Sequence, residues 1–407
     1  MLKNSDPQVN DLILAERKRQ SEVLELIASE NYVSKSVLEA LGSVLVNKYS
    51  EGYPRRRYYA GNEVIDQVEE LAIERAKKLF NLPFDWHVNV QPHSGSPANM
   101  AVFAALLEPK DTIMSLDLAH GGHLTHGSPV SLTGKTYNFV HYQVAKKNNK
   151  LDYTEILKMA DRVKPKLILS GFTSYPREVD FRKFKEISEK TKSIAMADIS
   201  HIAGLVAAEV HASPIPSFDV VTTTTHKTLR GPRGAIIMCK DKYASMIDKA
   251  VFPGMQGGPH EHTIAAIAVA LKEASTPAFA KYATQVVKNA KALANSLQDF
   301  GFKLVTSGTD THMVLIDLTN KSIRGKEAQK VLEEAGIIVN KNMIPYDTQT
   351  PNDPSGIRIG TPAITTRGMK EREMSKIAAW ITAVITDPSI APTVKKEVKV
   401  FTKKFPI

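Results

Sequence analysis

The sequence predicts a mixed α/β protein built on a mostly parallel sheet, followed by a smaller second domain. Three observations carry this. Short apolar, β-branched runs recur from Thr112 to Lys240 with helical stretches between them, the alternation expected of α/β proteins. Several of these runs lack polar/apolar alternation, which marks strands buried on both faces. From about Thr276 a long helical stretch leads into mixed strands and helices. The 407 residues are 43% hydrophobic and 24% charged, enough for a substantial core and for two or three domains. The expected division is an N-terminal helical arm over 1–30, a large domain over 31–275 and a small α+β domain over 276–407.

The elements follow in order. Val9 to Ser29 has helical spacing of apolar residues, and Asp6-Pro7 is a start signal. Residues 31–62 are rich in Tyr, Gly and Arg and read as loop, with turn residues at Gly52, Pro54 and Gly61. Glu63 to Leu79 reads as an amphipathic helix. TIMSLDL, KLILSGFT, SIAMADIS, DVVTTTT and GAIIMCK read as strands, and RKFKEISEKT as a helix among them. In the last part, AKYATQVVKNAKALANSLQDFGF is a long helix, and THMVLIDL, KEAQKVLEEAG and GIRIGT are shorter elements. The tail VKKEVKVFTKKFPI reads as a helix or strand with its charged face in water.

Composition excludes several classes. The single cysteine, Cys239, allows neither an internal disulfide nor a cysteine-based zinc site and suits a reducing compartment. No secretory signal and no apolar run of membrane-spanning length is visible, so the expected address is the cytoplasm. Lys plus Arg (53) exceeds Asp plus Glu (43), a net charge of +10. No basic strip interleaved with aromatics accompanies it, so a solvated basic surface is expected rather than a nucleic-acid partner. Gly134-Lys135-Thr136 resembles the end of a phosphate-binding P-loop, but Pro129 stands where its first glycine belongs. His120, His123 and His126 invite a metal reading; Gly121 and Gly122 break the helix it would need, and no metal is expected.

Three segments carry chemistry. In VVTTTTHKTLRGPRG a β-type run ends in hydroxyls, including Thr224, then His226-Lys227 and a glycine-rich turn. A lysine held at a strand end away from bulk water suits Schiff-base chemistry. In SIAMADISHIAGL, Asp198 closes a buried run, placed to pair with a protonated pyridine nitrogen, and His201 lies three residues on. In QPHSGSPANM, Ser94-Gly95-Ser96 precede a helical run, where backbone N–H groups and hydroxyls can hold a phosphate. Together these are the contacts that pyridoxal 5'-phosphate requires.

The strings ELIASEN, NKYSEGYP, RYYAGN, VQPHSGSPAN, LAHGGHLTHG, TTTTHKTLRGPRG, FPGMQGGP, VNKNMIP and GIRIGTPAIT resemble the serine hydroxymethyltransferase family over nearly the whole chain, in the family's order. The resemblance implies a fold-type I pyridoxal-phosphate transferase with a seven-stranded sheet, a homodimer or tetramer with shared active sites. It implies transfer of the serine hydroxymethyl group to tetrahydrofolate, giving glycine and 5,10-methylenetetrahydrofolate. The alternative is a folate-independent aldolase acting on 3-hydroxy amino acids or α-methylserine.

By the same resemblance, Lys227 carries the cofactor as an internal aldimine and Asp198 faces its ring nitrogen. His201 and Thr173 lie near the ring oxygen, and His123 stacks on the ring. Ser94, Gly95, Ser96 and His226 hold the phosphate, with Tyr49 and Gly258 contributed by the neighbouring subunit. Arg358 binds the substrate carboxylate, assisted by Ser29. Glu51, also from the neighbouring subunit, handles protons, with Tyr58 and Tyr59 at the substrate end and Thr224 in the catalytic set. Leu118, Gly122, Leu124 and Asn342, with His123 and Tyr58, place tetrahydrofolate. Departures from the family pattern include Arg55 and Arg230 at positions usually small, Ala60, Pro97 and Met255, and the stretch 346–356 around Asn352.

Overall fold

Buried apolar runs form a seven-stranded sheet in the unit spanning Val33–Thr284. The structure is a computed structural model and describes residues 2–407. In chain order the strands are β1 (Trp86–Asn89), β2 (Thr112–Leu116), β3 (Asn138–Tyr142), β4 (Leu167–Gly171), β5 (Ile194–Asp198), β6 (Val220–Thr224) and β7 (Ala235–Lys240). Their order across the sheet is β1-β7-β6-β5-β4-β2-β3. β7 runs antiparallel to both its neighbours and every other pairing is parallel. Six strands therefore end at the same edge, where open α/β sheets bind ligands.

Alternation explains the missing polar face. Ile168, Ala195, Ala197, Val221, Ile236 and Met238 pack in one apolar cluster. Their chain neighbours Leu167, Leu169, Met196, Val220, Ile237 and Cys239 pack in another. Both faces of the sheet are thus covered, as continuous apolar strands require. The helix Gly95–Leu106 packs on β6 and β7, and Phe181–Thr191 on β4 and β5.

The second unit comprises the chain up to Tyr32 together with Gln285–Ile407. It holds an antiparallel sheet of β8 (Lys303–Leu304), β9 (Met313–Asp317), β10 (Asn340–Asn342) and β11 (Gly356–Gly360), in the order β8-β9-β11-β10. The helices Gly325–Glu334, Glu371–Thr386 and Ala391–Thr402 cover the face to which Val314, Ile316, Ile357 and Ile359 point. The charged tail is thus a helix, with Val394, Val398 and Phe401 inward.

The compact units break after Tyr32 and Thr284, and the N-terminal segment belongs with the C-terminal residues. The first long helix needs correction. It runs over Pro7–Glu22, capped by Asp6 accepting from Val9 N–H, and stops seven residues before Ser29. Leu24–Glu25 is extended and pairs in parallel with Ile337–Ile338. Edge strands β1 and β3 were not expected from the sequence; β1 has only four residues, and β3 is mostly part-exposed rather than an apolar run. Glu63–Leu79 has the expected bounds. Arg55 and Arg230 adopt left-handed backbone, with φ of 62° and 61°, which explains why small residues suit those places. No helix among the described residues is long and apolar enough to cross a membrane.

Candidate active site

Asp198 ends β5 with its side chain one-tenth exposed. Its Oδ2 accepts from Asn99 Nδ2 at 2.8 Å and His126 Nε2 at 3.2 Å. Its Oδ1 accepts from Ser200 Oγ at 2.6 Å and Ser200 N–H at 3.0 Å. His126 Nδ1 itself accepts from the His123 N–H, so the ring proton sits on Nε2 and points at the carboxylate. Burial pushes the Asp198 carboxyl up, but His126, Asn99 and Ser200 together hold it well below the usual carboxylate range. The result is a lasting negative charge at the carboxyl edge of the sheet.

β6 lies beside β5 in parallel register, with Asp198 opposite Thr222. The connection from β6 to β7 is tight. Thr225 N–H donates to the Gly234 carbonyl, and Gly231 N–H returns to the Thr225 carbonyl. This turn holds Lys227, 9% exposed, above the strand end. Thr224 N–H donates to Ser200 Oγ, linking the lysine turn to Asp198. Two polar atoms here are buried without a protein partner, Thr224 Oγ1 and His226 Nδ1. Burial, with the charges of Lys227 and Arg233, pushes His226 down to about 3, so it is neutral at physiological pH. His201 is buried on the same edge, its carbonyl accepting from Thr228 Oγ1.

Ser94 precedes the helix Gly95–Leu106, and its side chain makes no capping hydrogen bond. A Cβ on Gly95 would lie 2.6 Å from Thr224 Cγ2, so glycine lets this helix N-terminus approach the lysine strand. Thr173 follows β4; its N–H donates to the Gly121 carbonyl and its Oγ1 to that of Gly122 at 2.6 Å. His123 Nδ1 accepts from Thr125 N–H and lies 2.8 Å from Thr125 Oγ1, which takes Asn99 Nδ2 in turn. Leu118 and Leu124 are 40% and 50% exposed in the short turns around it. Ser94–Ser96, His123, Thr173, Asp198, His201 and Thr224–Lys227 therefore lie on one edge of one unit.

Tyr49, Glu51, Tyr59 and Gly258 form a second cluster of the same unit. Tyr49 Oη donates to Glu51 Oε1 at 3.3 Å, and its ring meets Tyr59 edge-on at 5.1 Å. A Cβ on Gly258 would touch the Tyr49 ring, and one on Gly257 would lie 3.2 Å from Glu51 Oε1. Tyr58 packs edge-on against Phe252 and is 74% exposed.

Arg358, Ser29 and Asn342 belong to the other unit. Ile357 and Ile359 point into the core, so Arg358 projects from the opposite face of β11 at 9% exposure. Its Nε donates to Asn340 Oδ1, its cross-strand neighbour, at 3.1 Å. Burial lowers the guanidinium to about 10, which leaves it charged at neutral pH. Gly360 N–H donates to the Leu26 carbonyl, and Ala28 packs on Gly360, bringing the half-buried Ser29 segment to the end of the strand that carries Arg358. Asn342 pairs opposite Gly356 and donates to the Met343 carbonyl. In the atypical 346–356 stretch, Asp347 takes Ser355 Oγ and the backbone N–H of Ile344, Gln349 and Ser355, and the Asn352 carbonyl accepts from Lys341 Nζ.

Sequence reasoning missed Asn99, His126 and Ser200, which set the charge of Asp198. Asn99 lies four residues beyond Gly95, one helical turn from the phosphate segment, the only spacing signal it offers. His126 belongs to the histidine run weighed for a metal; it spends Nε2 on Asp198, and among the described residues no group of three or more His, Cys, Asp or Glu could hold a metal ion. Glu261 was also missed. It is 1% exposed, takes the Ser50 hydroxyl, and is pushed up to about 7 by burial and by Glu69. An acid raised on folding costs nothing below its ordinary value and progressively more as pH rises through the window from 4.5 to about 7. Glu261→Gln removes that cost, on the order of 3 kcal/mol at most. The melting temperature of the variant relative to wild type should climb between pH 5 and pH 8 and level off above, as followed by thermal unfolding. A difference that does not vary with pH would refute the buried acid.

The serine hydroxymethyltransferase family model matches residues 2–381 of the 407. The chain belongs to the serine hydroxymethyltransferase family, whose members are fold-type I enzymes that depend on pyridoxal phosphate and use tetrahydrofolate. The residues present fit that cofactor. An ionised aspartate, a buried lysine, an uncapped helix N-terminus and two unpartnered buried polar atoms share one sheet edge.

Proposed function

We propose that this member of the family transfers the hydroxymethyl group of L-serine to tetrahydrofolate, reversibly, giving glycine and 5,10-methylenetetrahydrofolate. The observation that carries the reading is the juxtaposition of Asp198, the Lys227 turn and the Ser94–Ser96 helix start at the carboxyl edge of the sheet. Pyridoxal phosphate, when bound, supplies an electron sink for the carbanion left at the amino-acid α-carbon.

The chain's own residues do the rest. Lys227 would hold the cofactor through its side-chain amine. Asp198, held ionised by His126, Asn99 and Ser200, would keep the ring nitrogen protonated. His201, Thr173 and His123 would hold the ring. Ser94, Gly95, Ser96 and His226 hold the phosphate, with the Thr224 hydroxyl beside them. Arg358, with Ser29, binds the serine carboxylate as a bidentate fork and so fixes which α-carbon bond is broken. Glu51 handles protons at the serine hydroxyl and the folate, with Tyr59 at the same end. Leu118, Gly122, Leu124, Tyr58 and Asn342 place the folate.

The working assembly in this reading is a homodimer in the cytoplasm, with Tyr49, Glu51 and Gly258 of one copy serving the site of the other. The helix Pro7–Glu22 supports a covered N-terminus: none of its side chains is buried, and Leu12, Ile13 and Leu14 are at least half exposed.

Serine cleavage by the cofactor-loaded protein, measured with and without tetrahydrofolate, tests the reading. Formation of 5,10-methylenetetrahydrofolate and strong acceleration by folate are expected. Cleavage indifferent to folate would instead assign a folate-independent aldolase. A second outcome follows from the close approach at Gly95. Gly95→Ala forces Thr224 or the helix start to move, and cofactor affinity should fall roughly 10-fold, about 1.4 kcal/mol. Titration of the apoprotein with pyridoxal phosphate reads this, and unchanged affinity would remove the segment from the phosphate site.

A further inference from the structure

The segment that carries Tyr49 and Glu51 is held from behind by a buried polar network. Arg57, its side chain 4% exposed, donates through Nη1 to the carbonyls of Ser50 (2.9 Å) and Gly52 (3.0 Å). Its Nε donates to Asp66 Oδ1 at 2.9 Å and its Nη2 to Glu69 Oε2 at 2.8 Å. Gln91 Nε2 donates to the Gly52 carbonyl and to Glu69, both at 2.9 Å. The Ser50 hydroxyl donates to Glu261 Oε1 at 2.5 Å. Gln256 closes the set: its Nε2 donates to the Gln91 carbonyl at 2.7 Å, and its Oε1 accepts from His93 N–H.

One network thus fastens three segments: Ser50–Gly52, Gln91–His93 leading into Ser94, and the turn from Gln256 to Gly258. A buried ionic cluster is a poor way to add stability, since apolar side chains of equal volume do as well or better. What it adds is direction. Here the direction is imposed on two backbone carbonyls flanking Glu51, while Ser50 is pinned through its hydroxyl.

We propose that Arg57 and Glu261 are positioning residues, which act through Ser50 and Gly52 to fix the orientation in which Tyr49 and Glu51 are presented to the neighbouring copy's site. The proposal rests on the reading that Glu51 handles protons in the reaction. Neither residue touches the reacting atoms. The loss expected on releasing the segment is therefore in turnover rather than in serine binding, which belongs to Arg358.

The test uses full-length, cofactor-loaded protein. Arg57 variants strand the buried Glu69 and the half-buried Asp66 and risk misfolding, so the variants are Glu261→Ala, Ser50→Ala and Glu261→Gln, which keeps an acceptor for Ser50. In Glu261→Ala and Ser50→Ala, kcat should fall roughly 10- to 100-fold, the scale of a small misplacement of a reacting group. KM for serine should stay within about 3-fold, the split that marks an interaction made in the transition state. Amide hydrogen exchange of the peptide covering Tyr49–Arg57 should quicken in both. Glu261→Gln should restore most of the turnover and of the protection. Unchanged exchange overturns the proposal, as does faster exchange with kcat unchanged. A wild-type protein that does not cleave serine overturns the functional reading instead, a result distinct from an active wild type whose variants match it.

Discussion

Lys227→Ala should abolish the visible band of the covalently linked cofactor and lower serine cleavage by roughly 10²–10⁴-fold, the range for removing a positioned catalytic group. The turn closed by Thr225, Gly231 and Gly234 leaves Lys227 buried above the strand next to Asp198. Lys240, by contrast, lies at the opposite end of the neighbouring strand and pairs with Asp219. The phosphate cradle and Asp198 remain, so the variant should still take up pyridoxal phosphate without the covalent link. Absorbance spectroscopy and borohydride trapping separate the two states. An unchanged spectrum, or trapping at another lysine, would remove Lys227 from its role.

Arg358→Ala should weaken serine binding by on the order of 2–5 kcal/mol, the cost of truncating one partner of a buried charge pair. That is roughly a 30-fold to several-thousand-fold loss in affinity. Arg358→Lys should recover little, because an ammonium cannot present two parallel N–H groups to a carboxylate. Cofactor affinity should be untouched, since Ser94–Ser96, Asp198 and Lys227 lie in the other unit. Serine titration of the loaded protein measures the effect. Unaltered serine affinity would place the carboxylate site elsewhere.

Much of the fold was legible because its strands are buried on both faces. Runs such as Ile194–Asp198 and Val220–Thr224 need no alternation to be read, and their ends are where Asp198 and Lys227 stand out as polar groups after apolar ones. Other features were decided by distant partners. Leu24–Glu25 has helical spacing with what precedes it, yet it extends because Ile337–Ile338 offers a parallel ladder more than three hundred residues on. The short edge strand β1 closes the sheet against β7, a pairing no local pattern announces.

The site divides in the same way. Lysine, aspartate and the Ser-Gly-Ser segment were legible from chemistry at element ends. Asn99, His126 and Ser200 were not, because they matter through hydrogen bonds to Asp198 rather than through a motif. His126 was visible only as a member of a spaced histidine run, and that spacing points as readily to a metal. The network of Arg57, Asp66, Glu69, Gln91 and Glu261 spans some two hundred positions, so its members read singly as ordinary polar residues.

The visible spectrum of the purified, cofactor-loaded protein, titrated with glycine and then with tetrahydrofolate, tests the central claim most directly. The expected result is a visible band from the cofactor linked to Lys227, with a further band at longer wavelength on adding glycine that strengthens when tetrahydrofolate follows. A cofactor band that responds to glycine but not to folate would contradict the proposed transfer, and no visible band after adding pyridoxal phosphate would contradict the site itself.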